Sequence, residues 1–416
     1  MWRVNPGSKL HGNIEISGAK NSMQFLTTAS LLSSYPLKLK RIPLINDTYT
    51  IIHILEDLNY TIHLDKTNAT IEIIPRDRPS NWILPFDEAR KLRSCLLFIP
   101  GLLRHFGKAF IPFPGGDAIG ARPLNTHFYV LEKFGCEIKR DDKGYYVSAK
   151  IIVPSDLILP YPSFTGTGLA MMLAATLNGT TTIKNAGKEP ELKDLAKLMN
   201  LMGIETEGTG TDSIIIRGNP SPSGAEMDIM YDRLEAGTFL MAAAITQGDL
   251  IISSNAIQHL EILVNKLTNA GCKFIENDGK THFYRHGILK PQEITTGPFP
   301  AFPTDLQPQF LALMTQAIGH SQIHETMHTK RFLQVPYLIK MGAKIDIVDS
   351  RAMVDGPSDL SGGYVKAQDI RGGASLVIAS LVAKHDTIIS GIYHLERGFS
   401  DFFNKLRKVG VNLELL

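Results

Sequence analysis

Gly179-Thr180-Thr181-Thr182-Ile183-Lys184-Asn185-Ala186, then Leu195-Ala196-Lys197-Leu198-Met199-Asn200-Leu201-Met202-Gly203-Ile204-Glu205, then Ser213-Ile214-Ile215-Ile216-Arg217-Gly218 is the stretch that decides the fold. Its first piece is short and β-branched, its second carries apolar residues at helical spacing, and its third is β-branched again. It reads as strand, helix, glycine stop and two further strands. The same text recurs from Gly248 (Asp249-Leu250-Ile251-Ile252, then Leu263 to Gly271-Cys272-Lys273-Phe274) and from His320 (Ser321-Gln322-Ile323-His324, then Leu338 to Gly342-Ala343-Lys344-Ile345). It recurs again from Asp386 (Thr387-Ile388-Ile389-Ser390, then Leu406 to Gly410-Val411-Asn412-Leu413). Earlier copies start near Tyr35, with Asn59 at the glycine position, and near Gly107, with Gly135-Cys136-Glu137-Ile138. Asn59 fits, because asparagine tolerates the left-handed conformation that ends helices. The copies begin about 70 residues apart, longer than solenoid units, so each is expected to be a small packed module.

A second helix, apolar almost all round, is expected ahead of each copy: Asn21 to Leu32, Ala89 to Arg104, Gly168 to Leu177, Ala236 to Thr246, Gln307 to Ile318 and Ala374 to Val382. A helix with no polar face belongs in an interior. The expected fold is therefore α/β, a two-lobed inside-out barrel of six repeats with buried helices inside and sheets outside. The lobes are expected at 20–229 and at 1–19 with 230–416. The crossing falls near Met227 to Tyr231, and the first strand, Trp2 to Val4, pairs with the second lobe.

Composition excludes several function classes. With 43 Lys and Arg against 41 Asp and Glu, the net charge of +2 argues against nucleic acid or an anionic membrane as partner. The opening residues lack the apolar core of a secretory signal, and no run approaches the ~18 apolar residues of a membrane span. Cys95, Cys136 and Cys272 are odd in number and far apart, which suggests neither a disulfide framework nor a zinc site. The expectation is a soluble, cytoplasmic protein without metal or cofactor, a monomer or weak homo-oligomer.

Polar residues collect where the buried helices begin: Lys20-Asn21, Arg93, Ser163 with Thr165 and Thr167, Asp232-Arg233 with Glu235, Asp305, and Arg371. Helix starts present free N–H groups and attract anions, and Arg can grip phosphate or carboxylate with two bonds. If the lobes face one another, these starts line one anion-binding cleft. Simple N-capping accounts equally well for Ser163, Asp232 and Asp305. It does not account for Lys20 and Arg371, since the helix dipole disfavours cations at those positions and an anionic ligand would relieve the conflict. Two loops add to the set. Phe113 to Pro123 holds Gly115, Gly116 and Gly120 with Asp117 and Arg122, and Ala301 to Asp305 leads into a buried helix. Neither has P-loop or dinucleotide-binding spacing.

Taken in order, Ile16-Ser17-Gly18-Ala19-Lys20-Asn21, Pro114-Gly115-Gly116-x-x-Ile119-Gly120-Ala121-Arg122-Pro123, Glu189-Pro190-Glu191, Asp232-Arg233-x-Glu235-x-Gly237-Thr238, Phe302-Pro303-Thr304-Asp305-x-Gln307 and His394-x-x-Arg397-Gly398 resemble the UDP-N-acetylglucosamine enolpyruvyl transferases along the whole chain. The resemblance implies transfer of the enolpyruvyl group of phosphoenolpyruvate to the 3-hydroxyl of the sugar, with those two substrates as partners. It implies that Lys20, Arg122 and Arg397 hold phosphoenolpyruvate with Asn21, and that Asp305 is the base at the sugar hydroxyl. Arg371 would meet the donor carboxylate, with Arg331 close by. Arg93, the segment Arg122-Pro123-Leu124-Asn125-Thr126, Ser163, Phe164 and Met327 would contact the nucleotide sugar. Asp117 stands where the family usually has the loop cysteine, so fosfomycin is expected not to inactivate the protein. Asn46, Asn125, Tyr161 and Leu97 are further departures. They leave open a different nucleotide or sugar acceptor, shikimate 3-phosphate, or a non-catalytic nucleotide-sugar sensor.

Overall fold

The computed structural model describes all of residues 1–416 except 118, 121 and 254. Ala118 and Ala121 of the glycine-rich loop thus lie outside the described residues. The chain forms two compact units, each with its own apolar core. The first comprises Gly18–Gly116 and Arg122–Met230, the second Met1–Ser17, Asp117–Ala121 and Tyr231–Leu416. The loop segment 117–121 therefore packs with the second unit, away from the sequence that flanks it.

The repeat is realised as one small sheet per copy. In the stretch that opened the reading, Thr180–Lys184 pairs antiparallel with Ser213–Arg217, which pairs antiparallel with Glu205–Glu207, and helix Pro190–Leu201 connects them. The six terminators Asn59, Gly135, Gly203, Gly271, Gly342 and Gly410 all have positive φ, so Asn59 takes the glycine role as expected.

Two closures complete the units. In the first, Ala225–Asp228 from the end of the third copy adds in parallel to Leu37–Lys40 of the first copy. In the second, the sixth copy supplies only Leu413–Leu415 after its helices, and Trp2–Val4 fills the gap. That strand lies antiparallel to both Thr387–Ser390 and Leu413–Leu415, pairing Arg3 with Ile388 on one side and Glu414 on the other. Next, His11–Ile14 runs parallel to Asp249–Ile252 of the fourth copy. The N-terminal residues are thus structural parts of two repeats.

Inside the sheets lie the apolar helices: α1 (Lys20–Thr28), α2 (Ile99–Phe106) and α3 (Phe164–Ala174) in the first unit, and α4 (Arg233–Ile245), α5 (Gln307–Met314) and α6 (Ile370–Ser380) in the second. Every residue of α4, α5 and α6 is buried. At about 1.5–3 kcal/mol per large apolar side chain removed from water, these helices anchor each core. Close packing depends on glycine at Gly168, where a Cβ would lie 2.1 Å from Phe25 Cε1 of α1.

The helix expected over Ala89 to Arg104 is corrected to three pieces: a turn at Phe86–Ala89, a 3-10 segment at Arg93–Phe98, and α2. Pro100 sits in the first turn of α2, the place where a missing N–H costs nothing, and so sets where the α-helix proper begins. All three cysteines are buried and unbridged. No helix among the described residues is long and apolar enough to cross a membrane.

Candidate active site

In the first unit, Lys20 opens α1 and its Nζ lies 2.9 Å from Asp47, both largely buried. Asp47 is in the first turn of helix Asn46–Asp57, where a carboxylate suits the dipole. The carboxylate therefore answers the charge conflict that the sequence left at Lys20. Asn21 follows, half-buried. One residue on, the Ser22 hydroxyl donates to Asp194, which also accepts the Met230 N–H at 3.0 Å. Burial pushes the Asp194 carboxyl up, against the pull of those hydrogen bonds.

Arg93 starts its 3-10 segment and donates from Nη2 to the carbonyl oxygens of Arg122 (2.5 Å) and Pro123 (3.3 Å). It thereby fixes the chain entering helix Asn125–Lys133, with Leu124 buried and Asn125 exposed. Gly116, at φ +106, leaves room for two guanidinium side chains: a Cβ there would lie 3.1 Å from Arg122 Nη1 and 3.3 Å from Arg93 Cβ. Ser163 caps α3 by accepting the Gly166 N–H at 3.1 Å, and Phe164 packs edge-on to Phe25. Thr126 lies against the same turn, its Cγ2 2.9 Å from where a Gly166 Cβ would be. His127 joins the two helices through Nε2 and the Thr165 hydroxyl at 2.8 Å. Burial, followed by the charges of Arg93 and Arg122, pushes this imidazole down to about 3, so it is neutral.

In the second unit the charges are denser. Asp305 lies between two buried guanidinium groups, with Arg331 Nη1 at 2.7 Å and Arg371 Nη2 at 3.5 Å. Simple N-capping at Asp305 is thereby corrected. The 3-10 turn Thr304–Leu306 and α5 are preceded by Pro303 and Leu306, neither of which makes a side-chain cap, and the Asp305 carboxylate faces cations instead. Burial acts to lower the Arg331 guanidinium, but Asp305, Asp369 and Glu325 outweigh it and hold it above its ordinary value. Arg371 enters α6 just after Asp369, which caps the helix by accepting the Arg371 and Gly372 N–H groups. Burial pushes the Asp369 carboxyl up, those hydrogen bonds and Arg331 pull it down, and Asp117 adds to the rise. Arg397 Nη1 donates to Asp117 Oδ1 at 3.0 Å, with both side chains nearly buried (7% and 12% exposed). The loop carboxylate is thus gathered with Arg397 as well as with the cationic cluster around Asp369.

Three groups were not singled out from sequence. Glu325 is fully buried and accepts from the Thr296 and Thr304 hydroxyls and from the Met327 and His328 N–H groups. Asp47 and Asp369 are the partners that make basic helix starts tolerable. Asp369 was detectable as an acid just ahead of an apolar helix, whereas Glu325, at a strand end, carries no local signal. The fourth buried ion pair joins Lys405 to Glu235 at 2.5 Å, with Lys405 also on the Ser17 hydroxyl. Among the described residues no group of three or more His, Cys, Asp and Glu side chains could hold a metal ion.

Three strand-wrapped helices per unit, with guanidinium and carboxylate groups at their starts, is the architecture of the enolpyruvyl transferases. Two solved structures share it: the enolpyruvyl transferase NikO from Streptomyces tendae (TM-score 0.90, 22% identity, 99% of this chain and 98% of that one) and the EPSP synthase from Acinetobacter baumannii (TM-score 0.74, 15% identity, 99% of each chain). The family model for EPSP synthase (3-phosphoshikimate 1-carboxyvinyltransferase) matches residues 4–406. The chain belongs to this family and is an enolpyruvyl transferase. It is 38% identical over 416 residues to a UDP-N-acetylglucosamine 1-carboxyvinyltransferase of Finegoldia magna, covering 99% of this chain and 98% of that protein. It is 37% identical over 413 residues to UDP-N-acetylglucosamine 1-carboxyvinyltransferase 1 of Staphylococcus aureus, with the same coverage.

Proposed function

We propose that this enzyme transfers the enolpyruvyl group of phosphoenolpyruvate to the 3-hydroxyl of the N-acetylglucosamine unit of UDP-N-acetylglucosamine, releasing phosphate in the cytoplasm as the first committed step of peptidoglycan synthesis. Full-length identity of 37–38% to proteins named for that reaction supports the acceptor. The observation that carries the chemistry is Asp305. A half-buried carboxylate held by two guanidinium groups is oriented and ionised, as a base at a sugar hydroxyl must be.

In this reading Asp117 supplies a proton to the terminal methylene carbon of the donor. The donor's C2 becomes cation-like, the sugar oxygen bonds to it, and Asp305 takes the hydroxyl proton. The tetrahedral adduct then loses a methyl proton and expels phosphate, which restores the double bond. Arg371 and Arg397 bind the donor's carboxylate and phosphate, with Lys20 and Arg122 completing the cationic set and Arg331 orienting Asp305. Asn21, Arg93, residues 122–126, Ser163, Phe164 and Met327 contact the nucleotide sugar. Asn46, Asn125 and the exposed Tyr161 favour testing a second reading, the same transfer onto a different nucleotide or sugar.

The test is phosphate release from phosphoenolpyruvate with each acceptor alone. Release that requires UDP-N-acetylglucosamine supports the reading, and release only with another acceptor replaces it. Asp305→Ala should stop turnover in a folded protein. Near-normal turnover in that variant would remove Asp305 as the base.

A further inference from the structure

Glu325 buries a carboxylate completely and surrounds it with four donors from three separate segments. Oε1 accepts from the Thr296 hydroxyl at 2.8 Å, the Met327 N–H at 2.8 Å and the His328 N–H at 2.9 Å. Oε2 accepts from the Thr304 hydroxyl at 2.9 Å. That hydroxyl in turn accepts from Arg331 Nη1 at 3.0 Å, and the same nitrogen donates to Asp305 Oδ1 at 2.7 Å. A continuous chain of hydrogen bonds therefore runs from Glu325 through Thr304 and Arg331 to Asp305. A second branch fixes the turn that begins at Met327, and Thr326 is tied to Thr296 by two more bonds, N to Oγ1 at 2.9 Å and Oγ1 to O at 2.7 Å.

From this geometry we infer that Glu325 is a positioning residue for the transfer: it fixes, through Thr304 and Arg331, the direction in which the Asp305 carboxylate presents its oxygens, and it holds the Met327 turn in register with them. The physical argument is one of sign and cost. A buried carboxylate is expensive unless nearly every lone pair is used, so a fold that only needed to join these strands would be served by a neutral side chain. A carboxylate accepts and cannot donate, so the Thr304 hydroxyl must donate towards Glu325. Its lone pairs are then left facing Arg331 Nη1, and the guanidinium proton is directed between Thr304 and Asp305. Replacing the carboxylate by an amide offers Thr304 an N–H in place of an acceptor and removes that constraint.

The inference rests on Asp305 being the base, and the experiment separates the two. Glu325→Gln keeps the volume and an accepting oxygen for the two N–H groups. The variant should melt close to the parent, with kcat lowered roughly 10- to 100-fold and the KM for both substrates changed little, the signature of a misaligned reacting group. Thr304→Val should reproduce that loss of kcat, and Thr304→Ser, which restores the hydroxyl, should recover most of it. Parental kcat in folded Glu325→Gln, or in Thr304→Val, overturns the inference. If Glu325→Gln does not fold, the Thr304 pair decides alone. Should Asp305→Ala keep its turnover, it is the base assignment that fails. An inactive Asp305→Ala beside fully active Glu325→Gln and Thr304→Val sinks only the positioning role.

Discussion

Replacing Asp117 by Asn should make the donor bind more tightly while the reaction slows. Arg397 meets Asp117 at 3.0 Å in a setting where neither side chain is more than 12% exposed. At an effective dielectric of about 20, opposite charges at that distance attract by about 5 kcal/mol, and the desolvation of both groups cancels a large part. A net of about 2 kcal/mol is the usual scale for a charge-assisted hydrogen bond. If Arg397 binds an anionic group of phosphoenolpyruvate, the loop carboxylate competes for the same guanidinium, and that net must be given up on binding. Asparagine keeps the volume and loses the charge, so the dissociation constant should fall by roughly 10- to 30-fold. The loss of the proton donor should lower kcat at the same time. Titration calorimetry of phosphoenolpyruvate into the enzyme saturated with UDP-N-acetylglucosamine measures the first effect, and phosphate release the second. Unchanged or weaker donor binding in Asp117→Asn would refute the competition, whatever happens to the rate.

Two other expectations follow from buried groups. Fosfomycin should leave activity unchanged with time and add no mass, because burial pushes the thiols of Cys95 and Cys272 up to about 12 and that of Cys136 to about 11, and the loop offers only a weakly nucleophilic carboxylate. An adduct mapped to Asp117 by mass spectrometry would contradict this. His127 should make stability pH-dependent. Its folded value of about 3 lies below the ordinary 6.5, so its contribution is present above pH 6.5 and fades by about 1.4 kcal/mol per unit as the pH falls towards 3. Urea unfolding of the parent and of His127→Gln at pH 7 and 4.5 checks it: the loss between the two pH values should be smaller in the variant, and an equal loss would acquit His127.

The repeat was legible because it depends on local features that recur: β-branched strands, amphipathic helices and a left-handed stop. Even Asn59 declared itself, since its φ of +71 is one that asparagine tolerates. The buried helices were legible from the absence of a polar face. Their starts were read less well, because Pro100 divides a segment that is apolar throughout and an apolar run does not reveal where an α-helix gives way to a 3-10 turn. The cations of the candidate site could be named from motifs, but their partners could not. Asp47 is 27 positions from Lys20 in the chain, and Asp117 is 280 from Arg397, so only tertiary structure reveals which carboxylate meets which cation. Glu325 was invisible for the same reason, as each of its side-chain partners comes from another segment.

Those partners change how a nearly neutral chain can handle anions. The sequence assigned Lys20, Arg371 and Arg397 to an anionic ligand because cations at helix starts looked unsupported. In the structure Lys20 is held by Asp47, Arg371 has Asp305 beside it with Asp369 capping its helix, and Arg397 is held by Asp117. An unpaired buried charge costs several kcal/mol, so a ligand-free protein that kept these guanidinium and ammonium groups out of water without partners would be poorly stable. Internal carboxylates remove that cost, and they also set a threshold that a weak anion cannot cross. A donor carrying both phosphate and carboxylate can replace such contacts at two points, whereas inorganic phosphate replaces them at one. Arg93 is arranged differently, on the carbonyl oxygens of Arg122 and Pro123. Those neutral acceptors leave its charge uncancelled, as suits a contact to a nucleotide diphosphate that need displace no carboxylate. The ligand-free ion pairs and the selectivity for a doubly anionic donor are in this view one property of the same side chains.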